Sequence, residues 1–455
     1  MELVLFLISF FLLATTSSFA EAEQGLNHSA LHLTLYHGSS LTSQSAPSSA
    51  ELLSHDQARV KHLYSRLITK NRTISSVTNS TSHKSEHLFG QKSVNTPLKP
   101  GLPIGSNNYY VKIGLGTPPS YYPVIVDTGS SFSWLQCLPC QGSCYKQAVP
   151  IFNPYASSTF QELSCRTSEC NSLKEATSND PICNNYNECV YQTSYGDQSY
   201  SKGYLCRDTL TLDQSGTLPD FVYGCGQENI GSFGESAGLF GLDRKRLSMF
   251  SQLSTTYGNA FSYCLPTRSG GSGGSLSIGR DSLMGSSYKF TPMLPDEQET
   301  GLYFLSLSAI AVAGKTLAVS EAEYKIPTII DSGSVLTYLP TSVYSVLSKE
   351  FTKIMSSNHE IAPAFDILDT CYKGSLKEMS DVPEVWIVFQ GEANLTLAPQ
   401  NILYDVAEKN ITCLAFVGNS ATDDFSTIGN HQQQTYRVAY DVYNSRIGFA
   451  AGGCK

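Results

Sequence analysis

An all-β fold built from two similar lobes is what this chain of 455 residues predicts. Three observations predict it. Tyr (26) and Phe (21) far outnumber Trp (2), and 35 Gly with 20 Pro supply turns, a balance that favours many strands over helix bundles. From Asn107 onward the sequence reads as short strands between Gly/Pro turns. One apolar-Asp-hydroxyl-Gly-hydroxyl segment occurs twice, as Val124–Ser130 and as Thr328–Ser334, which marks an internal duplication. Apolar residues at 41% against 15% charged allow a large core and exclude wholesale disorder. A net charge of −9 argues against nucleic acid as a partner, which needs a basic footprint.

The elements follow in chain order. Residues 1–20 read as a signal peptide: Leu3 to Ala14 is apolar but too short to span a membrane, and Ser18-Phe19-Ala20 fits a cleavage site. Glu2 stands where a basic residue is usual. The C-terminal Ala450–Lys455 has no lipid-anchor tail, so a soluble product without a membrane anchor is expected. Of five glycosylation sequons, at Asn27, Asn71, Asn79, Asn394 and Asn410, the last two are expected to be used.

Residues 21–98 form a separate leader with no Cys and seven of the nine His. Glu51 to Thr69 reads as an amphipathic helix with Leu52, Leu53, Val60, Leu63, Leu67 and Ile68 apolar. Lys and Arg outnumber Asp and Glu from 21 to 96, so the leader is basic beside an acidic body. A segment of that kind can dock by charge and be loosened by acid, which neutralises carboxylates and charges His.

The repeated segment carries chemistry. An apolar strand delivers Asp127, and its copy Asp331, into a partly desolvated place, and the Gly two residues on permits a tight turn. The flanking hydroxyls of Thr128, Ser130, Ser332 and Ser334 can donate to the carboxylates or across to the other copy. Two carboxylates held close share a proton, a rule for which aspartic-protease dyads are the standard illustration. One then serves as base toward water and the other as acid toward an amide carbonyl. Leu239-Phe240-Gly241 and Thr427-Ile428-Gly429 echo each other downstream of the two copies.

Over about residues 105–455 the chain resembles the pepsin-type aspartic proteases, in particular the plant nepenthesin-like group. The resemblance runs through Asp127-Thr128-Gly129-Ser130 with Trp134, Tyr195-Gly196-Asp197, Gly203-Tyr204, Arg207-Asp208-Thr209-Leu210 and Phe221 to Gly226. It continues through Asp331-Ser332-Gly333-Ser334, Ile428-Gly429-Asn430, Tyr440-Asp441, Ile447 to Ala450 and Cys454. It implies a bilobed pepsin-like fold with a central cleft, an N-terminal lobe over 99–295 with a Cys-rich insertion, and a C-terminal lobe over 296–455. It implies Asp127 and Asp331 as the catalytic pair, supported by Thr128, Gly129, Ser130, Ser332, Gly333 and Ser334. Tyr195 and Gly196 would form a flap braced by Trp134. The expected function is an aspartic endopeptidase made as a zymogen, a secreted monomer of the apoplast with the vacuole as alternative. Its partners would be protein or peptide substrates and its own pro-segment, without cofactor or metal. The alternative is a non-catalytic relative on the same fold, such as a glycosidase inhibitor. Three departures stand out: Ser334 for Thr, Gln198 for a flap Gly, and Asp243 and Lys245 for glycines, the last two read as surface-loop variation.

All thirteen Cys follow residue 136. Behind a signal peptide they read as disulfides rather than a zinc site. Spacing alone leaves connectivity open; the family pattern suggests Cys137–Cys140, Cys144–Cys225, Cys165–Cys189, Cys170–Cys183, Cys264–Cys454 and Cys371–Cys413. Cys206 is left over and reads as a buried free thiol. Gly270-Gly271-Ser272-Gly273-Gly274 fits a serine-hydrolase elbow only formally, because a strand and not a helix follows. Leu302 to Val312 reads as a buried strand and Thr341 to Met355 as a helix.

Overall fold

The computed structural model describes residues 47–71, 93–101, 104–212, 216–268, 274–298, 300–391, 393–420, 425–452 and 454. The expected signal peptide, the sequons at Asn27 and Asn79, and residues 270–273 of the Gly-Ser stretch lie outside them. The described residues belong to one compact unit within Leu31–Lys455.

Three arrays organise the mostly β structure. A 15-stranded sheet runs through the molecule, and in it Ser93–Pro100 lies between Ser275–Gly279 and Tyr109–Leu115. The expected leader boundary at 98/99 therefore falls inside a strand. Arg437–Asp441 and Arg446–Ala450 join the same sheet from the far end of the chain. The second array is the small sheet carrying Thr328–Ile330. The third comprises two four-stranded sheets of the C-terminal half. This is a bilobed, pepsin-like, all-β fold.

The duplication is visible in register. Ser120–Asp127 runs parallel to Gly238–Gly241, with Asp127 opposite Gly241. Thr328–Ile330 runs parallel to Ser426–Ile428, and Asp331 N–H donates to the Ile428 carbonyl at 3.1 Å. The downstream echoes are thus the strands that flank each aspartate.

The leader helix spans Ser49–Asn71, two residues beyond the expected bounds at each end. Ser48 and Glu51 cap it reciprocally: the Ser48 N–H donates to Glu51 Oε2 at 2.8 Å, and the Glu51 N–H donates to Ser48 Oγ at 3.2 Å. Leu53, Val60, Leu63, Tyr64 and Leu67 are buried against Leu302, Phe304, Ile329, Val335, Leu336 and Tyr338 of the C-terminal lobe. Helix Thr341–Met355 has the expected bounds and buries Val343, Tyr344, Leu347, Phe351 and Met355, while Ile354 is 37% exposed. The segment from Leu302 holds two strands, Phe304–Leu305 and Leu307–Val312.

Four disulfides differ from those the resemblance suggested. Cys137 bonds Cys225, because the parallel pairing of Trp134–Gln136 with Gly224–Gly226 brings their Cα atoms to 5.3 Å. Cys140 is then left to close a short loop with Cys144. Cys170 bonds Cys189, both fully buried in one apolar cluster. Half-buried Cys165 and exposed Cys183 join at its rim. Thus Cys137–Cys140, Cys144–Cys225, Cys165–Cys189 and Cys170–Cys183 give way to pairs fixed by strand register and burial. Cys264–Cys454 and Cys371–Cys413 are present, and Cys206 is buried and unpaired.

Candidate active site

Each aspartate ends an apolar strand and is itself fully buried, at 0% exposure. The turn after it supplies donors. Gly129 N–H donates to Asp127 Oδ1 at 2.9 Å, and Gly333 N–H donates to Asp331 Oδ1 at 3.1 Å. The Ser130 hydroxyl donates to Asp127 Oδ2, and the Ser334 hydroxyl donates to Asp331 Oδ2 at 2.6 Å. The two loops interlock: Thr128 N–H donates to Ser332 Oγ at 3.1 Å, and Ser332 N–H donates to Thr128 Oγ1 at 2.8 Å. A Cβ at Gly129 would meet Asp331 Oδ1 at 2.9 Å, so both loops need glycine to bring the carboxylates together.

The flap arrangement lies beside the pair. Strands Cys189–Ser194 and Tyr200–Thr211 form a hairpin whose turn runs through Tyr195, Gly196 and Asp197. Trp134 Nε1 donates to the Tyr195 hydroxyl at 2.8 Å. Gln198 holds a φ of +68°, a left-handed backbone in which a non-glycine residue costs roughly 1–2 kcal/mol. Asp197 stabilises that turn by accepting from the Ser199 N–H at 3.0 Å.

The residue that sequence reasoning missed lies between the carboxylates. Arg59, on the leader helix, donates through Nη2 to Asp127 Oδ1 at 2.6 Å and to Asp331 Oδ2 at 2.9 Å, and through Nε to Asp331 Oδ2 at 3.2 Å. Its side chain is 16% exposed. Burial pushes Asp127 up and the charge of Asp331 adds to that, against the pull of Arg59. Burial would also raise Asp331, but Arg59 and the Ser334 hydroxyl hold it below its ordinary value. Asp56, three residues earlier, accepts from Val335 N–H at 2.6 Å, Leu336 N–H at 3.1 Å and the Tyr338 hydroxyl at 3.0 Å. The helix also passes close under the flap: a Cβ at Gly196 would overlap the Ala58 carbonyl oxygen.

Asp243 is no surface-loop residue but fully buried, accepting from the Ser131 hydroxyl and from Lys245 N–H at 2.8 Å. The Asp243 side chain therefore lies under the Ser131 loop and not at the surface.

Two lobes giving one interlocked Asp-hydroxyl-Gly loop each to a single cleft define the pepsin-type class. The comparisons place the chain within it. Residues 109–280 match the family described as xylanase inhibitor N-terminal, and residues 302–451 match xylanase inhibitor C-terminal. An aspartyl protease family protein of Arabidopsis thaliana is 40% identical over 435 residues, covering 94% of this chain and 87% of that protein. Aspartic proteinase nepenthesin-2 of Nepenthes gracilis is 34% identical over 376 residues, covering 81% and 82%. The crystal structure of edgp superimposes with a TM-score of 0.62 at 23% identity, covering 80% of this chain and 96% of that one. The chain belongs to the pepsin-like family of aspartic proteases.

Proposed function

We propose that this chain is the latent precursor of an acid endopeptidase, with Asp127 and Asp331 as its catalytic pair and the helix Ser49–Asn71 as its inhibitor. The observation that carries this is Arg59, which occupies the place between the carboxylates where water and the scissile carbonyl would meet. With the helix gone, the pair shares a proton. The ionised partner takes a proton from water, whose oxygen attacks the amide carbon. The protonated partner gives its proton to the carbonyl oxygen, and the tetrahedral adduct collapses as a carboxyl proton passes to the leaving nitrogen. Tyr195 and Gly196 would cover an extended substrate. The proteases among the relatives support an enzyme. The intact hydroxyl set around both aspartates speaks against a non-catalytic binding role. Secretion follows the reading of residues 1–20, and no helix among the described residues is long and apolar enough to cross a membrane. Asn410, exposed in a turn, and Asn394, on a strand, are the proposed glycosylation sites.

The test is digestion of a denatured protein by the purified full chain after incubation at about pH 4, with and without pepstatin, in the range where carboxylates and His change charge. Pepstatin-sensitive cleavage accompanied by loss of the leader is the expected result. A folded, processed chain that cleaves nothing would sink the proposal.

Acid release has a candidate trigger in His62. It sits on the helix between Arg59 and Arg66 and faces Asp197 of the flap. Burial, then the charges of Arg66 and Arg59, lower it to about 4 from 6.5. Docking therefore keeps His62 neutral, and its contribution is full above 6.5 and lost as pH falls toward 4. Asp56 works in the other direction: burial raises it to about 6, so protonation there favours the docked helix. His62→Gln is expected to move the midpoint of acid activation down by about one pH unit. Measuring leader release against pH in both chains checks this; an unmoved midpoint excludes His62 as the trigger.

A further inference from the structure

Arg66 lies seven residues beyond Arg59 and, like it, fills cleft space with a cation. Its Nη1 donates to the Gly129 carbonyl at 2.8 Å and its Nη2 to the Thr300 carbonyl at 3.1 Å. Behind these two acceptors stands the buried carboxyl of Asp243. A Cβ on Gly301, next to Thr300, would meet Asp243 Oδ2 at 2.6 Å. Burial lowers the Arg66 guanidinium, and the charge of Asp243 is the strongest influence opposing that. Arg59, nearby on the same helix, adds repulsion, so two cations are crowded where one strand of substrate would run. Arg244, on the Asp243 loop, donates to Asp296 at 3.1 Å, to the Leu302 carbonyl and, through Nε, to the Gly301 carbonyl at 3.3 Å. Burial raises Asp243 to about 6, against the Ser131 hydroxyl and the charges of Arg66 and Lys245, so it faces the seat as an anion above that pH and as a neutral acid below it.

Every acceptor in this seat belongs to the body of the enzyme and stays when the helix leaves. We propose that the seat is a substrate subsite for a cationic side chain, Lys or Arg, and that Asp243 sets the preference. The inference rests on the protease reading, and Arg66 shows the guest it accepts. Gly129 also bonds Asp127 through its N–H at 2.9 Å, so the seat adjoins the catalytic pair. An extended peptide advances about 3.3 Å per residue, which puts the cation within about two residues of the scissile bond. The rival role for Asp243 is purely structural, tying the Ser131 loop to its own turn.

The test uses the acid-activated full chain, with the leader shown to be gone, on quenched peptides that place Arg, Lys, Leu or Glu in turn at each position flanking the scissile bond. At one position, assayed at about pH 6.5 where Asp243 is ionised, Arg or Lys is expected to give a kcat/KM about tenfold above Leu, with Glu the poorest, and that ratio should shrink toward about pH 4 as Asp243 takes up its proton. Asp243→Asn should collapse that ratio toward unity, and Asp243→Glu should restore part of it. A structural role would lower all four peptides in parallel and keep the ratio. If no position in the native enzyme prefers a basic residue, the subsite is overturned without recourse to any variant. Failure to cleave every peptide and denatured protein alike would overturn the protease reading, and this one with it.

Discussion

Asp127→Asn is expected to abolish peptide hydrolysis, by on the order of 10⁴-fold or more, while leaving the fold in place. The amide is isosteric with the carboxylate. It can keep the acceptor oxygen on the Gly129 N–H, now at 2.9 Å, and the Ser130 hydroxyl can turn from donor to acceptor for the new NH₂. A buried charge that burial itself disfavours disappears, and Arg59 keeps Asp331 as its partner through Nη2 and Nε, so thermal stability should stay close to that of the native chain. The chemistry has no such substitute. An amide cannot ionise, so the pair can no longer hold one proton between two carboxylates, and either the base toward water or the acid toward the carbonyl is missing. Steady-state kinetics on a quenched peptide, beside a thermal melt, separates the two effects. Residual activity within tenfold of the native enzyme would remove Asp127 from the reaction. If maturation is self-catalysed, the same variant should also remain at precursor length in acid.

The two aspartate loops were legible because their chemistry is local. Asp127-Thr128-Gly129-Ser130 and Asp331-Ser332-Gly333-Ser334 each specify a strand end, a turn and two donors within four residues, and the second copy supplies the partner. Arg59 was not legible. A lone arginine on an amphipathic helix has the same local signature whether it meets solvent or two carboxylates 68 and 272 residues away. A sign was available in Asp56, which interrupts the apolar stripe between Leu53 and Val60 and is buried with three donors. A charged residue inside a buried face asks for a partner, and the next basic residue on that face is Arg59. The cysteine pairs failed for a related reason. Four of them crowd between 165 and 189, where sequence distance barely distinguishes the options, and which sulfurs meet depends on which face of the insertion each one occupies. Asp243 was misread because a polar residue after a Gly resembles a loop, whereas the backbone there turns inward against Ser131.

Arg59→Ala is expected to abolish latency. The ion pair is of the buried kind, with Asp127 and Asp331 at 0% exposure and Arg59 at 16%, so the small value of surface pairs does not apply. Removing one partner of a buried pair costs about 3–5 kcal/mol, because the other charges are left without compensation. That corresponds to a weakening of the helix's hold by roughly 10²- to 4 × 10³-fold. The other anchors remain: Asp56 on Val335 and Leu336, the Tyr64 hydroxyl 3.1 Å from Thr427 Oγ1, and the apolar face of Leu53, Val60, Leu63 and Leu67. Held by these anchors alone, the helix can swing out from under the flap often enough for the carboxylates between the lobes to be uncovered and to regain their shared proton. The measurement is binding of pepstatin to the unprocessed chain, at a pH where the native precursor is still intact. The variant should bind and the native chain should not. Arg59→Lys should fall between them, since an ammonium keeps the charge but cannot fork across two carboxylates. A variant that remains closed to the inhibitor would show that the helix blocks the cleft by bulk and by Asp56 alone, and that the ion pair only accompanies inhibition.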